Sequence, residues 1–392
     1  MHPPTGRQAR KIRGIDMRGG GIGMNRKIPK ILLLVFVLIQ GTFSFADNEE
    51  PSHGNNAGDH PTEHEEWTAG SMIMHHIMDA HEWHVWDDWE LWGMSGSAWS
   101  IPLPIILYHE DRGLTMFSSS EFQHGTKAFN GYAIADEHIY AVGPNGERDE
   151  AATAMIWDIS LTKNAVALLF SVGLMLLIFL SVARRYKKHP DEAPKGLQAL
   201  MEPIILFIRD DVAKMAIKHN YERYMPYLLT IFFFIWINNI MGLIPFFPGG
   251  ANVTGNVAVP MVMALFTFII TLAIGNKHYW QHILWMPGVP VAIKPLMMVI
   301  ELAGVFIKPI VLVIRLFANI TAGHIVILVF ISLIFIFGEH GTSTTGGLIA
   351  AIPAVAFAIF LNILEILVGA IQAYVFTLLS AVYFGMATDD GH

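Results

Sequence analysis

Four charged side chains, Glu301, Lys308, Arg315 and Glu365, stand well inside the last two long apolar stretches of the sequence. Glu301, Lys308 and Arg315 follow one another at intervals of seven residues. At 3.6 residues per turn successive members drift by only ~20°, so a helix carries them as one stripe. Asn319 extends that stripe one turn past Arg315, whereas His324 falls on the opposite side of the same helix. In the last stretch Asn362, Glu365 and Gln372 share a face by the same arithmetic, among Ile, Leu, Val and Ala. A charge inside a bilayer costs about 2.5 kcal/mol or more on insertion scales, so each of these groups is a candidate functional residue with a partner. A Glu and a His near one another in apolar surroundings suit a proton relay, since both can gain and lose a proton. An Arg stays protonated, so it attracts a carboxylate and blocks cations but relays nothing. Two readings fit this spacing: a proton path ending at a fixed positive barrier, or a salt-bridge lattice that holds helices together.

The chain that must position these groups has 392 residues, with 25 Lys+Arg, 33 Asp+Glu, no Cys and 15% charged residues, against ~25% in soluble domains. With a mean hydropathy of +0.45 and uncharged runs beyond the roughly 20 residues that cross a bilayer, it is neither a single soluble globule nor a disordered chain. A net charge of −8 has the wrong sign for a nucleic-acid binder. Without Cys there is no disulfide framework, thiolate metal site, Fe–S cluster or cysteine nucleophile. The sequence also lacks a G-x-x-x-x-G-K-[ST] loop, so no nucleotide is expected to bind.

Along the chain, residues 1–23 read as a leader, with Met24 the expected start. Segment 24–46 reads as a signal peptide, in which basic residues precede an apolar run that ends at Ser44-Phe45-Ala46. From Asp47 to Met155 there are 20 acidic residues, three basic ones and 10 His, a composition for water rather than hydrocarbon. This 47–155 segment is expected to be exported. Trp83, Trp86, Trp89 and Trp92 are spaced to line one face of a short helix, which would be either an interfacial belt or a packed aromatic face. Tyr132–Tyr140 and the Gly143–Gly146 turn suggest a strand and hairpin. His75, His76, His81 and His84 are weak metal candidates, imidazole and carboxylate suiting Zn or Cu, and no metal or other cofactor is expected.

Residues 156–392 read as the membrane domain, with spans about 160–183, 226–244, 257–276, 292–337 and 347–387. Arg184, Arg185, Lys187 and Lys188 close the first span and place its end in the cytoplasm. The stretch 196–219 suits a helix lying on the cytoplasmic membrane face, and Lys277, His278 and His282 mark a further cytoplasmic turn. At 46 residues, 292–337 would extend about 69 Å as a helix, against a hydrocarbon core of about 30 Å. It must break at Pro309 or tilt strongly. The expected fold class is all-α polytopic, with about five membrane helices, one cytoplasmic-face amphipathic helix, and an exported segment with some β.

Arg315-Leu-Phe-Ala-Asn319-Ile-Thr-Ala-Gly323-His324 resembles the signature of subunit a of the F-type ATP synthase, the stator half of its membrane proton channel. Glu301 to Pro309, Asn239 to Pro245 and Glu365 to Phe376 are similar to that family too, in the same order over about 157–390. The resemblance implies that Arg315 meets each carboxylate of a rotating c-subunit ring. It implies an outside half-channel lined by Asn319, His324, Glu365, Gln372 and Asn239, and a cytoplasmic one near Glu301 and Lys308. It further implies a tilted hairpin around the ring, a b-subunit peripheral stalk and other ATP synthase subunits as partners, and nucleotide chemistry on those other subunits. The setting implied is the bacterial inner membrane, with the N-terminal segment outside and the C-terminus cytoplasmic. Some members carry an acid where His324 stands and a His where Glu365 stands; here the pair is exchanged. Gly242 replaces an acid of some members, and 47–155 is longer than the family usually has before its first span. The alternatives are a stand-alone channel or secondary transporter, and a metal-binding exported module anchored by the helices.

Overall fold

The computed structural model describes residues 78–389 except 87–88, 92–93, 97–98, 124, 136, 144, 190–191, 219, 245–246 and 339–342. The leader, the signal segment, His75 and His76 lie outside the described residues.

The N-terminal part is built from short antiparallel strands. These are β1 (Glu82–Trp86), β2 (Trp89–Leu91), β3 (Met94–Gly96), β4 (Trp99–Pro102), β5 (Pro104–His109), β6 (Gly113–Ser118), β7 (Tyr132–Ala135), β8 (His138–Ala141) and β9 (Ile156–Asp158). β5 is the centre of a three-stranded sheet between β6 and β9, while β1 pairs with β4, β2 with β3 and β7 with β8. Alternation along β5 sends Ile105 and Leu107 inward, where they pack with Phe122, Tyr132 and Ile139.

The helix expected from the tryptophan spacing is corrected here to strands. Trp83 and Trp86 lie in β1, opposite Ile101 and Trp99 of β4, with a register irregularity between His84 and Trp86. Three-residue spacing fits a helix face, but aromatic residues favour strands, and pairing with β4 decides the outcome. Tyr132–Tyr140, expected as a strand before a turn at Gly143–Gly146, instead folds on itself: β7 and β8 pair across a turn at Glu137, whose φ is 65°. Among the described residues Gly143 and Gly146 are flanked only by a single bridge between Val142 and Arg148.

The rest is helical. α1 (Lys163–Lys188) is followed by α2 (Leu197–Phe207), which continues through a π turn at Ile208–Ala213 and a last turn at Lys214–Ala216. Then come α3 (Met225–Gly242), α4 (Ala258–Ile274), α5 (Lys277–Leu284), α6 (Lys294–Phe337) and α7 (Thr344–Thr388). Among the described residues α1, α3, α6 and α7 are each long and apolar enough to cross a membrane, and α4 with the bent α5 makes a fifth candidate. The expected turn at Lys277 to His282 is therefore a short helix, set at 105° to α4.

α6 does not break at Pro309. It runs unbroken for 44 residues, about 66 Å, because packing along α7 and α4 compensates for the one amide that proline removes. A length of that kind fits a bilayer only by tilting. Leu312, Leu316 and Ile320 of α6 meet Ala373, Phe376, Ala381 and Phe384 of α7 in the main core, with Leu228 to Ile235 of α3. Long apolar side chains such as Ile307, Ile314, Ile352, Phe360 and Leu367 stay exposed along the outer side of the α6–α7 pair.

Candidate functional site

The polar groups of α6 divide between its two sides. Arg315 and Asn319 are exposed, one turn apart, and Glu301 and Lys308 are partly exposed farther towards the N-terminus. His324 turns inward and brings Nε2 to 3.6 Å from Oε1 of Glu365 on α7, which is 7% exposed. The opposition of Arg315 and His324 read from their spacing is thus realised in the folded helix.

Two glycines leave the space for this pair and a third makes room for Asn239, in the way that small residues let membrane helices approach closely. A Cβ at Gly323 would lie 2.8 Å from Glu365 Oε1, one at Gly242 would lie 3.4 Å from His324 Nε2, and one at Gly369 would lie 3.0 Å from the Cβ of Asn239. An acid at position 242 would therefore point at His324; this chain has its buried acid on α7 instead.

Asn239 is fixed from two sides. Thr254 donates its hydroxyl to Asn239 Oδ1 at 2.6 Å, and Asn239 Nδ2 donates to the Gly369 carbonyl at 3.3 Å. Thr254 lies in a single 3₁₀ turn, Val253–Gly255, held among α1, α3, α4 and α6. Thr321 of α6 donates to the Gly255 carbonyl at 3.4 Å. Gln372 is buried two turns beyond Glu365, and Asn362, one turn before it, donates to its own helix at the Ala358 carbonyl, 2.9 Å away. Of the candidates, His324, Glu365 and Asn239 are thus brought together around facing glycines, and Gln372 lies on the same buried face.

A second cleft, towards the other end, is lined by Phe268, Thr271, Tyr279, Val305, Lys308 and Tyr383, with Pro309 and Met386. Lys308 Nζ stands 5.7 Å from the Tyr383 ring centroid. Glu301 is within electrostatic reach of Tyr279, as Arg315 is of Tyr383. Tyr279, Tyr383 and Thr271 were not singled out from the sequence, because a Tyr or Thr among apolar neighbours carries no spacing signal. The same holds for the chain Tyr227–Thr267–Ser380, in which the hydroxyls are 2.9 and 3.4 Å apart across α3, α4 and α7.

Of the weak metal candidates, His81 is the one whose side chain the structure describes. His81 is paired with Asp158, and no group of three or more His, Asp or Glu side chains that could hold a metal converges among the described residues.

Several membrane-crossing helices that enclose an imidazole–carboxyl pair and carry an arginine on an outer face define a polytopic membrane protein of the ion-translocating class. Residues 166–385 match the ATP synthase A chain family, and residues 72–159 match a domain of unknown function (DUF8433). ATP synthase subunit a of Chloroherpeton thalassium is 45% identical over 244 residues, 59% of this chain and 67% of that one. ATP synthase subunit a 2 of Chlorobium luteolum is 37% identical over 345 residues, 86% of this chain and 80% of that one, so this similarity extends into the N-terminal part. ATP synthase subunit a of Myxococcus xanthus is 39% identical over 242 residues, 60% of this chain and 75% of that one. The chain belongs to the ATP synthase A chain family, the multi-pass, proton-translocating stator subunit a of the F-type ATP synthase, and works in a complex with other ATP synthase subunits.

Proposed function

We propose that this chain carries protons through two half-channels separated by Arg315. In this reading the outside path runs past Asn239, Gln372, His324, Glu365 and Asn319, and the cytoplasmic path uses the cleft beside Lys308, with Glu301 at its edge. The observation that carries it is the half-buried His324 set 3.6 Å from the buried Glu365, held on α6 and α7 while Arg315 occupies the opposite, exposed side of α6. At 3.6 Å the carboxyl and the imidazole stand just beyond direct hydrogen-bond distance, so a proton passes between them after a slight approach or through one bridging water. A guanidinium cannot, and its fixed charge prevents protons from running straight through.

The exposed apolar side of the α6–α7 hairpin is the surface on which a c-subunit ring would turn, each ring carboxylate being discharged by one path, attracted by Arg315 and recharged by the other. A b-subunit stalk would hold the chain against that rotation. Nucleotide chemistry lies on other subunits, and this chain is non-catalytic. The basic end of α1 faces the cytoplasm of a bacterium by the positive-inside rule, which puts the N-terminal domain outside the inner membrane and the C-terminus inside.

The test compares wild type with Arg315→Ala in membrane vesicles that carry the assembled complex, recording ATP-driven proton uptake and passive proton leak. Loss of coupled pumping with persistent or increased leak is expected. Retained pumping would reduce Arg315 to a structural charge and overturn the mechanism.

A further inference from the structure

The junction between the N-terminal domain and α1 buries ionisable groups that the mechanism above leaves unused. Asp79 accepts the Asn164 amide at 2.9 Å, and the Lys163 amide donates to the Ala80 carbonyl at 2.9 Å, so the first turn of α1 is clamped to the chain just before β1. His81, 6% exposed, brings Nε2 to 3.2 Å from Asp158 Oδ2 at the end of β9. The His81 amide donates to Glu137 Oε2 at 3.2 Å, while its ring Nδ1 is buried with no hydrogen-bond partner among the described residues.

These groups reach towards the His324–Glu365 pair. The Lys163 ammonium is within electrostatic range of Asp79 and Glu137 on the domain side and of His324 on the membrane side. Trp83 of β1 packs edge-on against Phe247 with ring centroids 5.1 Å apart, which seats the domain on the loop between α3 and α4. In that loop the Asn252 side chain is buried with neither amide atom partnered among the described residues, and the loop continues into the turn whose Thr254 holds Asn239. Titratable and polar side chains thus lie in the domain, at the start of α1 and in the loop, on the same side of the helices as the His324–Glu365 pair, with Lys163 in electrostatic range of both the domain carboxylates and His324. A clamp alone gains little from several buried ionisable groups, since ion pairs of this kind often do no better than apolar packing.

We propose that the N-terminal domain is the mouth of the outside half-channel, in which His81, with Asp158, Glu137 and Asp79 around it, passes protons between outside water and the His324–Glu365 pair. This rests on the half-channel reading given above. The step is a proton transfer alone: an N–H bond forms at one ring nitrogen of neutral His81 and the N–H bond at the other breaks, returning a neutral ring. Lys163 contributes a fixed charge between the domain and His324 and takes no part in the transfer. Burial opposes protonation of His81, but the Asp158 hydrogen bond and the carboxylates of Asp158, Glu137 and Asp79 outweigh it and place its pKa above the ordinary imidazole value. The group is therefore suited to take up protons near neutral pH.

The experiment uses the purified whole complex in proteoliposomes and measures passive proton conduction while the pH is varied on each side separately. For His81→Gln and Asp158→Asn, subunit content should match wild type, conduction should fall several-fold, and the response to pH on the domain side should flatten while the opposite side is unaffected. Asp158→Glu should restore both. Wild-type conduction and an unchanged pH profile in assembled His81→Gln would overturn the proposal. If His81→Gln does not assemble, the wild-type profile decides: conduction indifferent to domain-side pH between about 6 and 8 overturns it. Arg315→Ala that still pumps would remove the half-channel reading and this one with it. Uncoupled Arg315→Ala beside a fully conducting His81→Gln would remove this one alone.

Discussion

Gly323 on α6 faces the carboxylate of Glu365 on α7 so closely that a Cβ at position 323 would lie 2.8 Å from Oε1 and 2.9 Å from Cδ. Any other residue there would have to displace the acid. The hydrogen side chain next to His324 in sequence thus sets where the acid opposite His324 can be, at 3.6 Å from Nε2. Both Glu365 oxygens are buried with no hydrogen-bond partner among the described residues, so no hydrogen bond resists such a displacement.

Gly323→Ala should therefore separate stability from conduction. The new methyl group meets the end of a flexible side chain, and turning that side chain off its rotamer costs about 0.5–1.5 kcal/mol. Replacing a mid-helix glycine by alanine returns about 1 kcal/mol. The two nearly cancel, so the melting temperature in detergent should barely move while proton conduction by the assembled complex falls several-fold. Unchanged conduction would show that the position of the Glu365 carboxylate does not matter.

His324 and Glu365 should behave as a coupled unit. His324→Ala and Glu365→Ala should each slow conduction while assembly persists, and the exchange His324→Glu with Glu365→His should recover part of the loss. A thermodynamic cycle over the four proteins would then give a non-zero interaction, as expected of residues in contact. Strictly additive effects on the logarithm of conduction would mean that the two groups do not hand a proton to one another.

Much of this arrangement was legible in the sequence because lipid makes strong demands on it. Uncharged runs longer than about 20 residues announce spans, and the intervals from Glu301 to Arg315 and on to His324 fix the sides of a helix wherever it packs. Glu365 and Gln372 were readable for the same reason. The strands around Trp83 and Trp86 were not, since a three-residue interval also occurs in paired strands and only the partner, β4, decides. The Lys308 cleft was hidden because Tyr279 and Tyr383 are ordinary residues until folding places them together. The His81–Asp158 contact joins residues 77 positions apart, which no local pattern announces.

Thr254→Val should loosen the centre of the helical bundle. Valine keeps the shape but removes the hydroxyl that donates to Asn239 Oδ1 at 2.6 Å, and both residues are buried. An unpaired buried acceptor costs about 1–3 kcal/mol in water-soluble proteins, whereas interhelical hydrogen bonds in membranes average about 0.6 kcal/mol because the unfolded chain also finds partners. A loss of about 1 kcal/mol is expected, read as a lower melting temperature in detergent. Thr230→Val is the control, since among the described residues Thr230 bonds only to the Pro226 carbonyl of its own helix, at 2.7 Å. Equal effects of the two substitutions would show that the Asn239 tie carries no stability of its own.

The clamp between His81 and Asp158 should weaken as the medium becomes alkaline. The folded pKa of His81 lies above its ordinary 6.5, because the Asp158 hydrogen bond and nearby carboxylates outweigh burial. Its contribution to stability is therefore complete below pH 6.5 and is lost as the pH rises through the folded value. Asp158 is held below its ordinary 3.8, against its burial, by His81 and Ser160, so its contribution is present above 3.8 and is lost only as the pH falls through its folded value. Asp79, pushed up by burial, acts in the same sense as His81: its contribution is present below 3.8 and is lost as the pH climbs through its folded value. Between the two limits, from about pH 4 to about pH 6.5, the His81–Asp158 pair contributes most. Thermal unfolding of the N-terminal domain within the purified complex, measured from about pH 5 to about pH 9, should show wild type losing stability at the alkaline end. Asp158→Asn should be less stable near pH 6 and flatter across the range. Parallel curves for the two proteins would mean that His81 does not titrate against Asp158 in the folded domain.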